Sequence, residues 1–186
     1  MIFESYPWKM ELNRHLVLLR KWSKNAKTKR ARFYLERAVF LSAFVLRKMM
    51  ENRKLTDAVR DRSIHCEAFR PLRPLSDRVS RFSGSDADDY DMTKSETVTM
   101  SAFDLMSEIM HSYIFIHVLD DRNRVIEFLV NSYHKRDHRL LAIAKHDFER
   151  ILDDAIQDQV TEMHTYVHPT SGKIIAEVKG RKRPRK

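Results

Sequence analysis

The sequence predicts an α+β protein, with a helical core around one long buried central helix at about residues 27–53 and small antiparallel β-hairpins in the C-terminal half. Two observations carry this expectation. Ala31, Leu35, Ala38, Ser42, Val45 and Met49 recur every three to four residues, and the middle of that stretch, AVFLSAFVL (38–46), is apolar all round. A helix with no polar side is one with no solvent face. Further on, YIFIHVL and RVIEFLVNS are apolar runs of strand length separated by DDRN, which reads as a hairpin.

The other elements follow from local pattern. Residues 9–24 place Leu12, Leu16 and Leu19 on one helical side, with a break at Asn25. Thr56 stands where it can cap a short helix ending near Arg62. Residues 63–100 hold Pro71, Pro74 and the run SGSDADD with little periodicity, so a long loop is expected there. Ser101 followed by Asp104 marks the start of a helix, SAFDLMSEIMHS. LLAIA (140–144) is expected as a third strand, and Asp147 as the cap of a helix with Phe148, Ile151, Leu152, Ala155 and Ile156 inward. Residues 163–168 and 173–178 flank a second turn and read as a second hairpin. There is no internal repeat, so a single domain is expected over 1–178, followed by a flexible basic tail at 179–186.

Composition narrows the class. Three glycines and five prolines exclude collagen, a Gly-rich phosphate loop and a turn-dense all-β fold. The sole cysteine, Cys66, excludes an internal disulfide and a multi-cysteine zinc site, which suits a reducing cytoplasm, the expected location. No run approaches ~18 apolar residues and the first residues have no signal-peptide pattern, so no membrane partner is expected.

Charge is unevenly placed. The formal net charge is +9, and six of the 35 basic residues fall in KGRKRPRK at 179–186. Residues 20–54 hold twelve Lys/Arg against Glu36 and Glu51, whereas 146–162 hold six carboxylates against Arg150. Basic side chains at the start of the long helix oppose its dipole. An acidic partner is therefore expected there, either the acidic C-terminal helix or a phosphate. Nucleic acid, RNA or DNA, is the partner this charge suggests, through Lys27, Lys29, Arg30 and Arg32 on the helix and Arg181, Lys182, Arg183, Arg185 and Lys186 in the tail. A protein partner or a homodimer in which basic and acidic helices dock is the alternative.

Histidine spacing gives no metal site. His164 and His168 are too far apart along a strand, and His134 and His138 fall in an inter-strand loop. Asp104, Glu108 and His111 share a helical face but lack a second Glu-x-x-His step. Glu177-Val178-Lys179 has the step of restriction-type nucleases without the companion aspartate, and reads as a strand end. No cofactor is expected. Arg60 with His65, and Arg139 with His146, have the spacing seen in metal-independent ribonucleases, in which His handles protons and Arg stabilises phosphate charge.

The stretches KTKRARFYLERAVFLSAFVLRKMM (27–50) and YDMTKSETVTMSAFDLMSEIMHSYIF (90–115) resemble small bacterial proteins with a HEPN-like helical core. In HEPN ribonucleases the catalytic step reads Arg-Asn-x-x-x-His, then a small residue and an aromatic. The resemblance puts His111 at the histidine, Ser112 at the small residue and Tyr113 at the aromatic, with Met106 at the arginine and Ser107 at the asparagine. It implies a scaffold from a mobile-element or phage-defence setting whose charge-stabilising arginine is absent. A non-catalytic nucleic-acid- or partner-binding protein is therefore expected. The alternatives are a metal-independent endoribonuclease toxin, of a toxin–antitoxin kind, using His111 and Tyr113 or Arg60 and His65, and a structural dimerisation module.

Overall fold

Pro7 opens helix α1 (Tyr6–Trp22) in the first turn, where its missing N–H leaves no bond unmade. The computed structural model describes residues 4–73, 87–172 and 174–182. Helix α2 (Lys29–Glu51) begins at Thr28, whose Oγ1 accepts the Ala31 N–H at 3.1 Å. A single turn, α3 (Asp57–Arg60), leads into strands β1 (Ser63–Pro71) and β2 (Tyr90–Ser101). Ser101 then caps α4 (Ala102–Met110), accepting the Asp104 N–H at 3.0 Å and donating to the Asp104 carboxylate at 2.7 Å. Strands β3 (Ser112–Leu119), β4 (Val125–Ser132) and β5 (Leu140–Ala144) follow, then α5 (Lys145–Gln157) and a ribbon of β6 (Asp158–Val167) and β7 (Ile174–Lys182).

Five strands form one antiparallel sheet in the order β2–β1–β5–β4–β3, and β6 and β7 pair separately. Strand alternation gives the sheet two different sides. Ile64, Cys66, Ala68, Phe128, Val130, Leu141 and Ile143 meet the inward residues of α1, α2, α4 and α5 in the main core. Phe69, Tyr90, Ile114, Leu129, Leu140 and Ala142 make a smaller cluster on the opposite side. There Tyr90 Oη donates to the Arg136 carbonyl at 2.7 Å and accepts from Asn131 Nδ2 at 2.6 Å, so the buried polar groups are paired.

This architecture corrects the expected one. The α+β class holds, but the core is a sheet covered by a layer of helices, not a helical core with small hairpins attached. Nor is α2 a central helix buried all round. It is one member of the helical layer, and Phe33, Leu41 and Phe44 on its outer side are 59%, 38% and 44% exposed. The segment expected as a loop at 63–100 contains β1 and β2, paired from Ser63↔Ser101 to Phe69↔Ser95; its residues 74–86 lie outside the described residues. The expected α5 cap also shifts: Asp147 lies in the first turn, because the helix starts at Lys145.

The ribbon joins the body at its base. Asp158, buried, accepts from the Thr56 N–H at 2.8 Å and from Thr56 Oγ1 at 2.9 Å, and its carbonyl accepts from Lys9 Nζ. Thr56 therefore uses its hydroxyl on β6 and does not cap α3. A Cβ at Gly180 would stand 2.0 Å from the Gln159 carbonyl oxygen, so only glycine fits between the ribbon and Thr56.

Candidate nucleic-acid interface

Seven exposed cations gather around the α1–α2 turn: Lys21, Lys24, Lys27, Lys29, Arg30, Arg32 and Arg37. Among the described residues none of them forms an ion pair with a carboxylate. The acidic helix that could have compensated them is engaged elsewhere. Glu149 and Asp153 of α5 take Arg20 at 3.7 and 2.6 Å, and Asp154 takes Arg62 together with Lys182 at 2.6 Å. The first turn of α2 contains no acidic residue, so the positive end of its dipole adds to the side-chain charge.

Aromatic rings stand among these cations. Trp22, the last residue of α1, stacks on Tyr34 in α2 with centroids 5.1 Å apart and planes at 14°. Phe33 meets the edge of Tyr34 at 5.5 Å and keeps its own ring 59% exposed. Lys21 Nζ lies 5.2 Å from the Trp22 centroid and the Arg30 guanidinium 5.7 Å from that of Tyr34, both at cation–π distance. The turn beneath is held at both ends: Ala26 N–H donates to the Asn123 carbonyl at 2.8 Å and Val125 N–H to the Ser23 carbonyl at 2.9 Å. Arg32 Nε donates to the Ala26 carbonyl at 3.0 Å, which fixes the stem of one cation. The result is a rigid cationic ledge with an exposed ring.

Lys27, Lys29, Arg30 and Arg32 thus come together as the sequence grouped them. Trp22, Phe33 and Tyr34 were missed, although RFY directly after the basic run was the available signal. Arg181 and Lys182 are not on this ledge. They belong to β7, whose base adjoins α3, while α2 with 23 residues spans about 34 Å between its ends. The tail expected from 179 is strand as far as Lys182, and Arg183, Arg185 and Lys186 lie outside the described residues.

The catalytic candidates fall into different surroundings. His111 ends α4, exposed, and its carbonyl accepts the Tyr133 N–H at 3.2 Å. Tyr113 lies edge-on to Tyr133 at 5.7 Å, and the Arg136 guanidinium sits 3.9 Å from the Tyr133 centroid. Met106 is wholly buried, so position 106 faces the core and not His111's surface. Arg122 and Arg124 are at the far end of the β3–β4 hairpin, about 25 Å along the strand from His111. Of the arginines toward the His111 end of α4, Arg139 is bound at 3.3 Å to Glu108, which also accepts the Ser132 N–H, and Arg136 lies over the Tyr113 and Tyr133 rings. Arg60 and His65 are separated by the sheet. Arg60 stacks at 5.0 Å on Phe103, on the helix side, and lies 3.8 Å from both Asp57 and Asp61. His65 alternates with the buried Ile64 and Cys66, so it points to the opposite side, where Nδ1 meets Thr99 Oγ1 at 2.9 Å.

Among the described residues no three His, Cys, Asp or Glu side chains converge as a metal site, and no helix is long and apolar enough to cross a membrane. Burial pushes the Cys66 thiol up to about 11, which leaves it unreactive as a nucleophile at neutral pH. No family model matches the chain, and no curated protein or solved structure is significantly similar to it.

His117 is the titratable group just beneath the ledge. Burial, with a smaller contribution from Arg32, lowers its pKa to about 4. Its ring packs against Phe115 and Phe128, 5.2 and 5.9 Å away. The unfolded chain takes up this proton near pH 6.5 and the folded chain does not until about 4. Its contribution to stability is thus whole above about 6.5 and lost as pH falls toward 4. After discounting for partial exposure, the expected loss between pH 7.5 and 4.5 is about 2 kcal/mol. His15 is shifted in the same direction by burial, so the check compares His117→Phe with wild type in urea at both pH values. Equal acid sensitivity of the two proteins would refute this role for His117.

Proposed function

We propose that the protein binds single-stranded nucleic acid on the α1–α2 ledge and performs no chemistry on it. The observation that carries this reading is the set of seven cations that meet no carboxylate among the described residues, around an exposed ring, while the acidic helix is occupied by Arg20, Arg62 and Lys182. Such cations gain most from a polyanion, by releasing its counterions. Phe33 adds a reason to favour a single strand, because a base offers its face for stacking only when unpaired. The surroundings of His111 favour binding without cleavage: its scaffold partner is buried Met106, and Arg139 is neutralised by Glu108.

The test is fluorescence anisotropy with labelled 20-nucleotide single strands of RNA and DNA and the matching duplex, at low and moderate salt. About five phosphate contacts give a slope of log K on log salt of roughly −3 to −4 on single strands. The triple variant Lys27→Ala, Lys29→Ala, Arg30→Ala should reduce that slope by about 2. Phe33→Ala should weaken single-strand binding about tenfold and duplex binding much less. Absence of binding at low salt, or indifference to both variants, would sink the reading. RNA should stay intact with chelator present, and chelator-resistant cutting lost in His111→Ala would replace binding with catalysis.

A further inference from the structure

The β6–β7 ribbon is anchored at its base by Asp158 of β6, and beyond that base its hydrogen bonds to the body come from β7. Val178 N–H donates to Asp57 Oδ2 at 2.7 Å, and the Ala176 carbonyl accepts from Arg53 Nη1 at 3.1 Å, so both groups point away from β6. In an antiparallel pair, opposite residues turn their backbone groups alike, both inward or both outward. Val178 faces Met163 and Ala176 faces Thr165, so Met163, Thr165 and, in the same phase, Val167 direct N–H and C=O outward along β6. Nothing among the described residues meets those groups. β6 contains no Lys, Arg or Pro, the residues that commonly blunt a free edge. An isolated two-stranded ribbon is also marginal in water. One of its sides is apolar and open, with Met163, Val167 and Ile174 exposed by 58%, 62% and 74%.

We propose that two copies of the chain pair β6 against β6, antiparallel, making one four-stranded sheet and carrying each ribbon across to the partner's body. Polar complementarity favours a second copy over other occupants. Glu162 already meets His164 of its own strand at 3.6 Å, and a two-fold axis through Met163 sets it opposite the partner's His164 as well, while an axis through Thr165 sets it opposite the partner's His168. The receiving surface is in place as well. Antiparallel pairing brings the ribbon tip to the base of the partner's β6, beside a cleft of about 460 Å³ lined by Ser5, Lys9, Lys54 and Gln159. Next to it Tyr6 and Met10, 59% and 42% exposed, line a second hollow with Ile156, apolar surface for Val167 and Ile174 of the other copy. A two-fold pairing consumes both free edges and closes at two chains.

This inference is independent of nucleic-acid binding. Sedimentation of the full chain should give twice its 22.2 kDa mass at micromolar concentration. Thr165→Pro removes an outward N–H and none of the ribbon's own bonds, and Ile174→Lys charges the tip. Each should weaken the dimer at least about tenfold while circular dichroism and melting of the body stay unchanged. Met163→Cys or Thr165→Cys, whichever lies on the axis, should cross-link to itself under mild oxidation. A chain that stays monomeric at about 100 μM, a dimer indifferent to both edge variants, or cross-linking at neither position overturns the proposal.

Discussion

Truncating Phe128 to alanine is expected to cost about 3–5 kcal/mol, enough to consume much of a domain's stability. The side chain is 1% exposed on β4, a strand hydrogen-bonded on both sides, by β3 and by β5. Its ring stacks on Phe115 at 5.6 Å and meets the edge of Phe148 in α5 at 6.1 Å, so it joins the sheet to the helical layer. A strand fixed on both edges cannot close over the void, which is what makes a cavity expensive. Urea denaturation reads the effect as a lower midpoint with little change in slope. Phe44→Ala, the same truncation at a 44% exposed site on α2, should cost about 1 kcal/mol or less. Equal costs at the two positions would mean that the core is misplaced.

Asp158→Ala is expected to lose roughly 2–5 kcal/mol for a different reason. The carboxylate, 3% exposed, accepts both the N–H and the hydroxyl of Thr56, at 2.8 and 2.9 Å. Alanine leaves two buried donors unpaired, each costing about 1–3 kcal/mol. Thr56→Val removes one donor along with its acceptor's need, so the double variant should cost less than the sum of the singles. The ribbon should also loosen, and limited proteolysis should cut near residue 158 sooner than in wild type. A loss below about 0.5 kcal/mol would show that the ribbon is not anchored here.

The helices were legible because their apolar spacing survives into the fold: Leu12, Leu16 and Leu19 are buried, as are Phe148, Ile151, Leu152 and Ala155. The β3–β4 hairpin was legible from its two apolar runs and polar turn. β1 and β2 were not. In β1 the buried set includes the small Cys66 and Ala68, set between His65 and Glu67, and β2 is an edge strand whose residues 93–97 are exposed on both sides. β1 does alternate, from Ser63 to Ala68, but two of its three inward residues there are small, so the signal is faint, and β2 carries no hydrophobic alternation over its exposed stretch. In α2, apolar residues on all sides suggested full burial, yet composition does not distinguish a buried Val39 from a Phe44 that faces out. The cations of the ledge were visible as a charge run. Its rings were not, because Trp22 and Tyr34 meet only once the turn between α1 and α2 has folded back.

The pairings that close this fold join parts made far apart in time. Lys9 finds its acceptor at Asp158, 149 residues later, Thr56 is bound by the same aspartate, and Glu67 of β1 pairs with Ala142 of β5. At a synthesis rate of about 5–20 residues per second, roughly 5–20 s separate completion of α2 from arrival of Asp158. Through that interval the inner faces of α1 and α2 have each other but no sheet. Productive folding must therefore wait until β5 and β6 have been made, when they complete the sheet and the anchor together.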